Sequence, residues 1–114
     1  MSDFEHIELK IKWEELIKSI SSNFGEIDDL KDIIFLIGVQ ELGFGFRKFT
    51  KDEKIDVMHI AVCKLLSHFG YYTYSGHDKE GWPHYTTISV LPELSEKERE
   101  ILLKQAIIVY FDQK

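Results

Sequence analysis

Apolar residues Leu9, Trp13, Leu16, Ile17, Ile20 and Phe24 recur at three- and four-residue intervals, gathering on about a third of a helical wheel. Residues 4 to 13 also carry a competing pattern, since Ile7, Leu9, Ile11 and Trp13 alternate with Glu8, Lys10 and Lys12 as in a half-buried strand. The five-turn stripe outweighs that alternation and predicts a first helix, ended by Ser21, Ser22, Asn23 and Gly25. Asp28 and Asp29 supply acceptors for the start of a second helix. Its Ile33 to Val39 run is apolar on every side, broken only by Gly38, and so belongs in the centre of the molecule. Gly43 and Gly45 stop it, and a basic loop with Phe44, Phe46, Arg47, Lys48 and Phe49 follows.

Thr50 and Glu53 have the spacing of a capping box, predicting a third helix from about Lys51 to Phe69 with Gly70 closing it. Ile55, Met58, Val62, Leu65, Leu66 and Phe69 form its expected core face, with His59 and Cys63 at the edge. From Tyr71 the period becomes two. A strand to His77, a turn at Asp78-Lys79-Glu80-Gly81 and a second strand from Trp82 to Val90 predict a β-hairpin. Ser95 and Glu98 form a second capping box, opening a last helix to about Phe111 that is apolar most of the way round. The fold expected is α+β, mostly α: four helices with one antiparallel β-hairpin between helices 3 and 4, in a single small globular domain spanning residues 1 to 114.

Composition narrows the function classes. The chain is 44% hydrophobic and 30% charged, with a net charge of −6 and only Arg47 and Arg99 as arginines, which opposes binding to a phosphate backbone. Nucleic acid is therefore not an expected partner. No 18-residue apolar run and no charged-then-apolar leader is present, and the one cysteine, Cys63, forms no internal bridge, so a cytoplasmic protein without membrane contact is expected.

The chemistry-bearing residues are sparse. His59 and Cys63 stand at i and i+4 and aim two metal-ligating groups the same way, but a structural zinc needs four. Cys63 as a small buried hydrophobe with His59 at the boundary is the plainer explanation. His77 and His84 share a face only if the hairpin register sets His77 opposite Trp82, and a slip of one residue separates them. The aromatic hairpin residues Tyr72, Tyr74, Trp82 and Tyr85 are candidates for partner binding, since tyrosine and tryptophan supply rigid contact area at interfaces. Half of them must face inward by alternation. Gly43-Phe44-Gly45 follows a helix and lacks a third glycine, so it is a helix stop and not a phosphate loop. No cofactor is implied, and no catalytic residue is assigned.

The strings Leu36-Ile37-Gly38-Val39-Gln40-Glu41-Leu42-Gly43, Asp56-Val57-Met58-His59-Ile60-Ala61-Val62-Cys63 and Asp78-Lys79-Glu80-Gly81-Trp82-Pro83-His84-Tyr85 resemble a family of short proteins of unknown function from Bacteroidetes bacteria. The likeness runs from about residue 10 to the C-terminus. It implies a bacterial cytoplasmic setting and no catalytic or binding residue. The expectation is a non-enzymatic protein-interaction module that self-associates as a homodimer, through the apolar last helix or the aromatic hairpin. The alternative is a metal- or small-ligand-binding enzyme using His59, Cys63, His77 or His84.

Overall fold

A computed structural model describes residues 3–25, 29–45 and 47–112, without the side chains of residues 23 and 24. The readings placed on Asp28 and Phe46, and on the side chains of Asn23 and Phe24, therefore lie outside what is described. The order is α1 (Asp3–Phe24), α2 (Leu30–Leu42), α3 (Lys51–Ser67), β1 (Tyr72–His77), β2 (Pro83–Thr87) and α4 (Glu96–Asp112). This is the expected α+β architecture, with the two-stranded antiparallel sheet between the third and fourth helices.

Local chemistry sets the helix ends. Asp29 caps α2 by accepting from the Asp32 amide at 3.0 Å, and Gly43 closes it in the left-handed region at φ 80°. Thr50 Oγ1 accepts from the Glu53 amide at 3.2 Å, while the Thr50 amide donates to the Glu53 carboxylate at 2.9 Å. Ser95 and Glu98 repeat that exchange at 3.1 and 3.0 Å in front of α4. The α3 helix stops at Ser67, two residues before the expected Phe69, and a turn through Gly70 at φ 83° leads into the hairpin.

The core has two parts. Ile20, Ile33, Ile34, Leu36, Ile37, Ala61, Leu65, Ala106, Ile107 and Tyr110 join all four helices. Val39, Leu42, Phe49, Val57 and Ile60 form a second cluster, with Phe35 and Trp82 packed against it. Gly38 makes the junction of α2 and α3 possible. A Cβ there would stand 2.3 Å from the Val57 carbonyl oxygen and 2.6 Å from its Cγ1, so the absent side chain is what lets the two helices touch.

The expected core face of α3 is corrected. Ile55 is 62% exposed and Phe69 39%, whereas Val57, Ile60, Ala61, Cys63, Leu65 and Leu66 are buried. The reason is that α2, α4 and the hairpin all pack on α3, so it is buried around most of its girth. Its small residues Ala61 and Cys63, which weigh little in an apolar stripe, are among those buried. The last helix is likewise covered within the chain. Ala106, Ile107 and Tyr110 are buried in α4, and its other large apolar residues are half-buried against α1 and α3.

Below α3, His68 Nδ1 is buried without a hydrogen-bond partner among the described residues, and its ring lies 6.4 Å from that of Tyr110. Burial, then the nearby Lys64 ammonium, hold the imidazole below its ordinary range, with Glu41 opposing. A lowered histidine favours folding fully above the unfolded value of about 6.5, and that contribution fades as the pH falls through the folded value. The urea midpoint should therefore fall between pH 7.5 and 5.5, and should fall less in His68→Gln. A parallel fall in both proteins would assign the acid loss to other groups.

Candidate functional site

The α3 helix presents Glu53, Asp56, Ile60 and Cys63 at i, i+3, i+7 and i+10, with His59 alongside, so one side of the helix faces the hairpin. Opposite stand Asp78, Glu80, Trp82, Pro83, His84 and Tyr85 from the turn and β2. Between them lies a cleft of about 360 Å³, within the range of small-molecule sites and large enough for one or two side chains of a partner.

The hairpin wall is shaped by a bulge. Tyr74 pairs with Tyr85, Gly76 with His84 and His77 with Pro83, leaving Ser75 as the extra residue. His77 thus sits opposite Pro83, not Trp82, and shares a face with Tyr74 and Tyr85, while His84 points from the other face. The two histidines do not converge. His77 Nδ1 instead bonds the Tyr74 hydroxyl, with the rings 5.3 Å apart. The turn is held by Asp78, whose Oδ1 accepts from the Glu80 and Trp82 amides at 2.9 and 3.0 Å. His84 Nε2 donates to Asp78 Oδ2 at 2.9 Å. Together the His84 bond and those two amides hold the Asp78 carboxyl below its usual value. Trp82 is fixed from behind by an edge-on contact with Phe44 at 6.4 Å.

On the helix wall, Glu53 is the capping carboxylate and also accepts from Arg47 at 3.0 Å; its carboxyl is lowered, first by the Thr50 amide. Arg47 is held there over the Phe49 ring at 4.6 Å. Cys63 Sγ lies 3.5 Å from His59 Nε2. Cys63 is only 2% exposed, and burial pushes its thiol up. Tyr85 is pushed up to about 12, first by burial and then by Glu41, Cys63 and Tyr74. Its phenol is a neutral hydrogen-bonding group across the neutral range.

The cleft thus gathers His59, Cys63, His84, Trp82 and Tyr85 from among the residues singled out in the sequence, and leaves out His77, Tyr72 and Tyr74. Tyr72 is half-buried and Tyr74, at 52%, is the one member of the aromatic set that is exposed. Among the described residues, no group of three or more His, Cys, Asp or Glu side chains is placed to hold a metal ion. The turn carboxylates Asp78 and Glu80 stand beside the hairpin histidines in the sequence, but the acidic residues that α3 adds to the site were missed. Glu53 reads as a cap and Asp56 falls off the apolar stripe of α3, and both line the cleft. The i, i+3, i+7, i+10 stripe was the available signal, but only the hairpin folded against it turns the stripe into a wall. The carboxylates of Asp56 and Glu80 have no hydrogen bond or ion pair among the described residues, so two of the four acidic groups are left for a ligand. No helix is long and apolar enough to cross a membrane among the described residues. No protein family, curated protein or solved structure matches the chain.

Proposed function

We propose that the protein is a non-enzymatic interaction module whose cleft between α3 and the hairpin receives a lysine or arginine side chain of a partner protein. The supporting observation is the pairing of unpartnered Asp56 and Glu80 with the rings of Trp82 and Tyr85 around one concave space. Low-dielectric walls concentrate the field of the carboxylates, and aromatic faces attract a cation, so both features favour the same ligand charge. A buried, reduced cysteine and an acidic surface agree with a cytoplasmic setting.

The test is a titration with lysine-rich, arginine-rich and acidic peptides, followed by NMR at the Trp82 indole N–H. Basic peptides should shift that signal saturably and more weakly at higher salt, and the acidic peptide should leave it unmoved. Asp56→Asn with Glu80→Gln should weaken binding roughly fivefold or more, as expected for the loss of two exposed ion pairs. Equal binding by the double variant, or a silent indole, would overturn the reading.

A second reading, a thiol-dependent enzyme, is favoured by the 3.5 Å contact between Cys63 and His59. The buried, raised thiol weighs against it, because the nucleophile is the thiolate and reactive cysteines have lowered values and some exposure.

A further inference from the structure

The α1 helix is apolar on two opposite sides. Trp13, Leu16, Ile17 and Ile20 face the core, and Leu9 is half-buried on the same side. Phe4, Ile7 and Ile11, at i, i+3 and i+7, form a second stripe on the far side and are 74%, 59% and 51% exposed. A surface helix needs one apolar side, and three large apolar residues in line on the solvent side mark a contact surface.

We infer that this stripe pairs with the same stripe of a second copy, the two α1 helices running antiparallel about a two-fold axis near Ile7. That arrangement is self-complementary, as an isologous interface must be: Phe4 of each copy packs by Ile11 of the other. Charge supports the direction. Asp3 and Lys10 flank the stripe on one side, and the antiparallel arrangement brings Asp3 of each copy beside Lys10 of the other, twice over. On the opposite flank Glu8 and Lys12 already neutralise each other within the chain at 3.2 Å. The helix dipoles also oppose, which favours the pairing. Three apolar side chains per copy make an interface well below the standard size of about 1,600 Å², so the dimer is weak and forms in the upper micromolar range. This surface is distinct from the cleft, and the two stand or fall separately.

Analytical ultracentrifugation from 10 to 500 µM tests it. The mass of the unaltered chain should rise with concentration toward that of two chains. Ile7→Glu, at an exposed position where circular dichroism should confirm an unchanged fold, should stay a monomer throughout. Lys10→Glu should weaken the dimer severalfold and Lys10→Glu with Asp3→Lys should restore it, because the exchanged charges still meet across the axis. Dimerisation that survives Ile7→Glu, or an unaltered chain that stays a monomer at 500 µM, would overturn the inference. Lack of restoration by the charge exchange would overturn the antiparallel pairing. Asp56→Asn with Glu80→Gln should dimerise like the unaltered protein whatever it does to peptide binding.

Discussion

Gly38→Ala should lower stability by a net ~2–3 kcal/mol, even though alanine is the better helix former by about 1 kcal/mol. The glycine lies in the middle of α2, where propensity alone would favour the replacement. Packing opposes it, because the new methyl group would sit 2.3 Å from the Val57 carbonyl oxygen. A backbone oxygen cannot rotate aside as a side chain does, so α2 and α3 must separate and lose close contact along their shared surface. These two helices share the most extensive helix–helix contact in the molecule, so the loss spreads beyond one residue. Domains of this size are stable by roughly 5–15 kcal/mol, and a loss of this size should move the urea midpoint down by about 1 M. Val57→Ala removes the Cγ1 obstruction at 2.6 Å and leaves the oxygen, so in that background Gly38→Ala should remain destabilising. A Gly38→Ala protein as stable as the original would mean that the close approach of α2 and α3 is not a feature of the folded chain.

Leu65→Ala should cost about 3 kcal/mol and Ile55→Ala less than about 0.5 kcal/mol, although the two residues lie on the same helix and the same apolar stripe of the sequence. Leu65 is fully buried among Ile33, Ile37, Ile107 and Tyr110, so its removal leaves a cavity that close-packed neighbours only partly fill. Ile55 is 62% exposed and loses little by truncation. Paired denaturant curves would settle the contrast. Comparable losses at both sites would restore the helix face that the periodicity alone suggests.

Those two residues also show what local pattern carries and what it does not. Thr50 with Glu53, Ser95 with Glu98, and Asp29 act over three residues, so the ends of α2, α3 and α4 can be read from the chain. The change of period at Tyr71 and the turn at Asp78 to Gly81 announce the hairpin in the same local way. The rotation of α3 is not local. It depends on which neighbours press on the helix, and three different elements do. The hairpin register depends on Ser75 bulging beside Gly76 at φ 115°; a glycine inside a strand marks a bulge, but it does not say how many residues the pairing skips. The cleft depends on both, because it forms only once a known side of α3 meets a known face of β2. Its α3 carboxylates therefore could not be joined to those of the turn from the sequence, and its cysteine and aromatic members could only be named apart from them.

Among the described residues the hairpin of β1 and β2 has no third strand, and a two-stranded sheet alone in water is marginal. It keeps its place through α3, through Trp82 against the second core cluster and through the Asp78 turn. One wall of the cleft thus has little stability of its own, and local opening of the hairpin is favoured wherever its ties to α3 and the second core cluster weaken. Any group that bridges Asp56 on the helix to Glu80 on the turn ties that wall to the body, so occupancy is felt as protection of the strands against opening. Apparent affinity then includes the fraction of time the hairpin spends closed, and a change in the Phe44 contact behind Trp82 can tune binding without touching the ligand.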